Sequence, residues 1–391
     1  MGLVGAQGGL TRYRKVPASD KIAGHSSGRQ KTRTTWRKSA ATRSMQDTGP
    51  TDASFAQQST LLDRRLAVAP MMDWTDRHCR FFLRQFSPRV LLYTEMITAA
   101  AILRGRRERL LAFDPAEHPV ALQLGGSEPD SLAAAARYGA EAGYDEINLN
   151  VGCPSERVQS GAFGACLMAE PALVARCVEA MQAAVAIPVT VKCRIGIDDH
   201  DEYSYLANFV DFLAAAGARV FIVHSRKAIL KGLSPKQNRE VPPLRYDYVE
   251  RLKRERPDLT IVLNGGLRRA DEVVAALARV DGVMLGREAY HNPYVLSELH
   301  GRIYGEESWQ APTPAAIMDR LIPYVEQRCA AGDPLSAITR HFLGLFAGRG
   351  GARSWRRYFT ECARKPGAGA ELVVRARDRL RSIDPLPPTG T

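Results

Sequence analysis

From Leu66 onward the chain alternates short apolar, β-branched runs with Ala/Leu-rich stretches of helical spacing. The runs are Leu66–Pro70, Val90–Met96, Val120–Gly125, Glu146–Gly152, Val189–Ile195, Val220–Ser225, Ile261–Gly266 and Gly282–Gly286. Between them lie Asp130–Ala142, Pro171–Val185, Tyr203–Ala216, Tyr246–Glu255 and Arg269–Ala278, each with the spacing of an amphipathic helix. A strand buried on both faces reads as an unbroken apolar run rather than as alternation, and these runs do. Eight such strands separated by helices predict an α/β fold, a (β/α)8 TIM barrel. A doubly wound open sheet would carry GxGxxG after its first strand, and Leu66–Pro70 is followed by Met71-Met72-Asp73-Trp74 instead.

Beyond about residue 310 the strand signal stops. Ala315–Ala331, Ser336–Phe346, Ala352–Ala363 and Ala370–Ser382 have helical spacing, with Gly and Pro between them. Residues 1–60 lack hydrophobic periodicity and are rich in Gly, Ser, Thr, Arg and Lys. The expected organisation is therefore a disordered basic tail (1–60), a catalytic barrel (61–308) and a small all-helical domain (309–391). The tail is Arg-rich and acid-poor like an organelle transit peptide but shows no clear amphipathic helix. An RNA-gripping arm and a start nearer Met45 are the competing readings.

The formal charge is +12 over 391 residues, and its distribution adds more than its sum. Residues 1–50 carry 10 Lys/Arg against 2 Asp/Glu, and residues 311–391 carry 13 against 7. A near-neutral barrel between basic ends points to a polyanion partner, nucleic acid first, against the alternative of an ordinary solvated surface. No apolar run is long enough to span a bilayer and the start lacks an apolar signal core, so no membrane role is expected. The seven cysteines are scattered without CxxC or a Cys/His cluster. That pattern fits reduced thiols in the cytoplasm and offers no metal site.

In such barrels chemistry sits at the carboxyl ends of the strands. The fourth run ends Asn148-Leu149-Asn150-Val151-Gly152-Cys153-Pro154, a strand breaking into a loop that presents one thiol. Cys153 is the candidate proton donor, flanked by Gly and Pro and preceded by two asparagines read as pointing at the site. Loops after strands seven and eight commonly cradle a phosphate, and here they carry Gly265-Gly266 and Gly286-Arg287. Lys192 inside an apolar strand needs a reason: a cation beside the N1/O2 edge of a flavin supplies one, and pairing with Glu95 is the alternative. Gln123 suits the polar edge of the same ring or a satisfied core amide. His224 suits a phosphate, a substrate or a structural role.

Together these residues resemble the tRNA-dihydrouridine synthases over about residues 66–385. The carriers are Ala69-Pro70-Met71-Met72-Asp73-Trp74-Thr75-Asp76, Gln123-Leu124-Gly125-Gly126, Asn148 to Pro154, Val191-Lys192, Ile222-Val223-His224 and Asn264-Gly265-Gly266. Asp198-Asp199, the stretch Lys227 to Pro243 and Trp355-Arg356-Arg357-Tyr358 resemble the A-type bacterial subfamily. The resemblance implies a cytoplasmic, monomeric FMN enzyme, without an obligate protein partner, that uses NADPH, or NADH, to reduce uridine to 5,6-dihydrouridine at positions 20 and 20a of the tRNA D-loop. It implies that Pro70, Met71, Met72, Gln123, Lys192, His224, Asn264, Gly265, Gly266, Gly286 and Arg287 hold FMN. It implies Cys153 as general acid, and Asn150, Lys236, Arg239, Arg353 and Arg356 as tRNA contacts. Cys193, beside the flavin lysine, and the basic tail depart from the family pattern.

Two other readings compete. A flavin dehydrogenase of free pyrimidines, related to the dihydroorotate dehydrogenases, would not need the basic helical domain. An RNA-binding or chaperone protein with a vestigial site would not need Lys192, Asn264-Gly265-Gly266 and Cys153 together.

Overall fold

The computed structural model describes residues 62–155, 158–159, 161–306 and 308–383. The basic N-terminal tail expected from the sequence, with Met45 in it, lies outside the described residues.

Nine strands form one parallel sheet: β1 (Leu66–Val68), β2 (Leu92–Tyr93), β3 (Ile97–Thr98), β4 (Val120–Gly125), β5 (Glu146–Val151), β6 (Val189–Arg194), β7 (Val220–His224), β8 (Thr260–Asn264) and β9 (Gly282–Leu285). Their order is β1-β9-β8-β7-β6-β5-β4-β2, with β3 also on β4. The ends meet where Val68 N donates to Leu91 O (2.9 Å) and Leu91 N donates to Leu66 O (3.0 Å), so the sheet closes into a barrel. All eight expected strands are present. Of the run Val90–Met96 only β2 is strand, and β3 lies just beyond it; the ladder breaks at Thr94, whose hydroxyl accepts Gln123 N at 3.0 Å in place of a backbone carbonyl.

The helices Pro129–Glu141, Pro171–Ala184, Tyr203–Ala215, Tyr246–Glu255 and Ala270–Leu277 fall within a residue or two of expectation and pack their apolar stripes on the outer face of the sheet. Inside the barrel, alternate strand positions converge. One side is apolar, built from Ala67, Tyr93, Ala121, Val220, Ile222, Val262 and Met284. The other, from β5 and β6, presents Glu146, Asn148 and Thr190, all fully buried. No helix among the described residues is long and apolar enough to cross a membrane.

The C-terminal segment is helical, as expected: Pro314–Ala330, Leu335–Thr339, Ala352–Cys362 and Glu371–Ile383. The single helix expected over Ser336–Phe346 does not form. It breaks after Thr339 and resumes as a short 3-10 turn, Phe342–Gly344. Two contacts fix the break. Arg340 and His341 turn toward Asp76, and Gly344 lies so close to the Tyr290 and His291 carbonyls that a Cβ there would sit 2.8 Å and 2.9 Å from them. The segment anchors on the first barrel helix, Arg77–Arg84. Phe81 stacks on Tyr324 with ring centroids 3.8 Å apart, and His78 Nδ1 lies 2.7 Å from the Tyr324 hydroxyl.

Candidate active site at the barrel mouth

A cavity of about 1770 Å³ opens at the carboxyl ends of the strands and runs toward the turn Ala331–Pro334 of the helical segment. Its walls carry ten Lys or Arg side chains against five Asp or Glu, so it favours an anionic guest although the barrel as a whole is nearly neutral. Pro70, Met71, Met72, Gln123, Lys192, His224, Asn264, Gly265, Gly266, Gly286 and Arg287 all line it, as do Cys153, Asn150 and Arg239.

Register explains how they meet. Across neighbouring strands Gln123 pairs with Asn148, Asn150 with Lys192, Arg194 with His224, and His224 with Asn264. Both β5 asparagines point into the barrel, but only Asn150 lines the cavity; Asn148 lies one layer below it. Asn150 Oδ1 accepts both Gly152 N and Cys153 N at 3.0 Å, which uses both lone pairs, and its Nδ2 donates to Gln123 Oε1 at 2.8 Å. One Asn150 N–H is left for a guest. The Cys153 carbonyl accepts Ala165 N at 2.9 Å, so the backbone of the cysteine is held at both ends. Its thiol is partly exposed and 3.5 Å from Ser155 Oγ.

Lys192 Nζ donates to Asn264 Oδ1 at 3.0 Å and forms no salt bridge with Glu95, so the carboxylate alternative is not what holds it. Burial, with Arg194 beside it, pulls the Lys192 ammonium down to about 8. Asn264 Nδ2 is tied to Met284 O at 2.8 Å, which turns its oxygen toward the lysine. His224 is buried among Arg194, Lys192, Arg226 and Arg239. Burial first, and then these cations, push its imidazole well below its ordinary range, leaving a neutral ring. The turn after β8 requires glycine: Gly265 has φ 115° and Gly266 φ 76°, and a Cβ on Gly266 would sit 2.5 Å from Leu244 Cδ1. Burial pushes the neighbouring Cys193 thiol up to about 12, so it is inert packing.

Two features bear on whether a flavin mononucleotide fits. Arg226 Nε is buried without a protein partner, in the wall that also carries His224, Arg239 and Arg287. A Cβ on Gly286 would meet nothing within 4 Å, so backbone there is open to a guest. A phosphate in this wall would give the first a partner and find room at the second, and Lys192 and Asn264 line the same cavity. The residues present fit the group. Arg287, expected beside the phosphate with the glycine backbone, also pairs with Glu240 Oε1 at 2.6 Å.

Lys236, Arg353 and Arg356 do not line the cavity. All three are exposed. Arg353 and Arg356 lie on the outer face of Ala352–Cys362, whose other face buries Trp355 and Phe359. The sequence places Arg194 at a strand end beside Lys192 without a role, and Arg226 was missed. Arg194 is 4% exposed and donates to the carbonyls of Gly152 (2.8 Å), Lys227 (2.9 Å) and Asn238 (3.1 Å), clamping the cysteine loop to the 227–238 loop. Its position two residues after Lys192, on the same inward face, was the available signal. Arg226 sits in a loop, where only its place after the His224 strand end marked it.

The sequence matches the model of the family described as Dihydrouridine synthase (Dus) over residues 67–381. It is 57% identical over 315 residues to the tRNA-dihydrouridine(20/20a) synthase of Xanthomonas axonopodis pv. citri, covering 81% of this chain and 93% of that relative. It is 54% identical over 321 residues to the protein of the same name from Shewanella oneidensis, covering 82% and 95%. With that of Synechocystis sp. it shares 57% over 311 residues, covering 80% and 93%.

Proposed function

This chain belongs to the dihydrouridine synthase family, and from that premise we propose that it reduces the C5=C6 bond of uridine at positions 20 and 20a of the tRNA D-loop, in the cytoplasm, with Cys153 as the acid. The observation that carries the reading is the convergence, in one cation-rich cavity, of the cysteine loop after β5 with Lys192, Asn264, Gly265-Gly266 and Arg226.

Pro70, Met71, Met72, Gln123, Lys192, His224, Asn264, Gly265, Gly266, Gly286 and Arg287 would hold FMN, with Arg226 added to the phosphate end. When bound, FMN would supply the hydride that C6 of the uracil needs, with NADPH as its reductant. Lys192 keeps a positive charge below neutral pH and at neutral pH, because its depressed value of about 8 still lies above 7. Asn264 holds that ammonium in place. The C4 carbonyl of the uracil polarises the double bond, so negative charge develops toward C5 and a proton must arrive there. Cys153 Sγ is the group that gives it, and Asn150 fixes the backbone from which the thiol projects. The remaining N–H of Asn150 is available to a base carbonyl.

A stacked tRNA base has to leave its stack to enter a barrel mouth. The cavity provides the pocket; Lys236, Arg239, Arg353 and Arg356 provide phosphate contacts that set orientation without reading sequence. The test is Cys153→Ala. The variant should keep its yellow flavin and its NADPH oxidation and lose about 99% of dihydrouridine formation, as loss of a general acid costs roughly 10²–10⁴ in rate. Undiminished dihydrouridine in tRNA treated with that variant would refute the acid assignment. Activity on free uridine equal to that on tRNA would refute the substrate.

A further inference from the structure

A continuous hydrogen-bonded chain runs through the polar side of the barrel interior, from a carboxylate on its sealed floor to the cysteine loop at its mouth. Glu146 is fully buried and accepts four hydrogen bonds: Arg64 Nε at 3.0 Å and Nη2 at 2.7 Å on one oxygen, Tyr93 OH at 2.6 Å and Thr190 Oγ1 at 2.7 Å on the other. Asn148 Nδ2 donates to Thr190 Oγ1 at 2.8 Å, and Gln123 Nε2 donates to Asn148 Oδ1 at 2.8 Å. Asn150 Nδ2 donates to Gln123 Oε1 at 2.8 Å, and Asn150 Oδ1 receives the N–H groups of Gly152 and Cys153.

The direction of every bond is forced. A carboxylate bound to a guanidinium can only accept. The Thr190 proton therefore goes to Glu146, and its oxygen must accept from Asn148. That fixes which end of the Asn148 amide faces Gln123, which fixes Gln123, which fixes Asn150. The far end is also determined, because backbone N–H groups can only donate. One reversed amide anywhere in the row would set donor against donor, or acceptor against acceptor, in a buried site where neither finds water.

We infer that Glu146, Thr190 and Asn148 are positioning residues for Cys153: they hold the Gln123 and Asn150 amides in the one orientation that anchors the cysteine loop. None of the three lines the cavity. The inference rests on the reading of Cys153 as the acid. The row ties the thiol loop to the rigid floor of the barrel, so the sulfur keeps one place while a large RNA docks above it. A donor displaced by about 1 Å costs on the order of 10²-fold in rate.

The test uses the FMN-loaded enzyme and Thr190→Val, which keeps the shape of a buried β-branched strand residue and replaces the hydroxyl with a methyl group. Single-turnover reduction of tRNA should fall about tenfold or more with KM for tRNA unchanged, while NADPH-driven flavin reduction stays within about twofold. Thr190→Ser should restore the rate, which a cavity or packing defect would not allow. Wild-type tRNA reduction in Thr190→Val, or failure of Thr190→Ser to restore it, overturns the proposal. Hydrogen exchange on the unmodified holoenzyme is a second test that needs no variant: Gly152 and Cys153 amides should be protected, and free exchange at both overturns it. Cys153→Ala, run in parallel, separates the two readings. Activity retained there removes the acid itself, whereas activity lost there but kept in Thr190→Val removes only the relay.

Discussion

Asp76 joins the first barrel helix to the C-terminal segment, and replacing it with Ala should destabilise the protein by about 3 kcal/mol. Three contributions make up that figure. The Asp76 side chain caps the helix Arg77–Arg84 by accepting Cys79 N at 3.0 Å, and losing such a cap costs about 1 kcal/mol. Its salt bridge to Arg340 Nη2, 2.5 Å long, involves a guanidinium that is 44% exposed, so solvent screening leaves about 0.5 kcal/mol. His341 is fully buried, its Nε2 3.0 Å from the Asp76 carboxylate, and losing that partner costs about 1–2 kcal/mol, with Arg340 Nε left 3.1 Å from the ring nitrogen. For a compact unit of this size the sum corresponds to a fall in Tm of about 4–5 °C by circular dichroism. Burial alone would raise the Asp76 carboxyl, but His341, the Cys79 N–H and Arg340 outweigh it and hold it well below the usual carboxylate range. A carboxyl with a depressed folded value stabilises fully above its unfolded value and loses that contribution as pH falls through the folded one. The gap between wild type and Asp76→Ala should therefore be constant near pH 6 and shrink once pH drops below about 4. A Tm within about 1 °C of wild type at pH 7 would refute this account of how the segment is anchored.

The Lys192 ammonium is depressed to about 8, so between about pH 8 and 10.5 the unfolded chain binds the extra proton and folding stability rises with pH; urea titrations of flavin-free wild type and Lys192→Met should show wild type gaining on the variant across that window, and parallel curves would contradict the assignment. Arg353→Ala with Arg356→Ala should lower the slope of log affinity for tRNA against log salt by about 1–2 while leaving flavin reduction intact, and an unchanged slope would take these exposed arginines out of the interface.

The barrel was legible because its strands are buried on both faces and so read as unbroken apolar runs; Val120–Gly125 is buried at every position. The break at Thr94 was not, because it depends on a threonine hydroxyl replacing a backbone carbonyl in the neighbouring strand, which no single run records. The break after Thr339 was hidden for a similar reason: Asp76, 264 residues earlier in the chain, captures Arg340. Of the candidate site, the residues at strand ends could be placed by topology alone, since the pleat and the barrel together deliver them to one mouth. Loop residues such as Arg226 could not, since their positions follow from how the loops fold.

The polar row beneath Cys153 was in the sequence in a form that is easily passed over. Within two otherwise apolar strands, Glu146, Asn148 and Asn150 alternate, and so do Thr190, Lys192 and Arg194. A period of two puts each set on one face, and in a closed barrel that face is the interior, where an unpaired polar group is costly. Six such groups in two strands therefore demand partners: Glu146, Asn148 and Thr190 find them in one another, and Asn150, Lys192 and Arg194 find them on other strands and loops. What the sequence lacks is the register, and register decides the chemistry: Asn148 opposite Thr190 and Asn150 opposite Lys192 divide the set into a floor that orients and a mouth that reacts. A slip of one residue in either strand would turn its three polar groups outward. The dense hydrogen bonding from Glu146 upward thus supports function and fold at once, because the pairing that satisfies the buried groups is also the pairing that brings Cys153 and Lys192 to the same cavity.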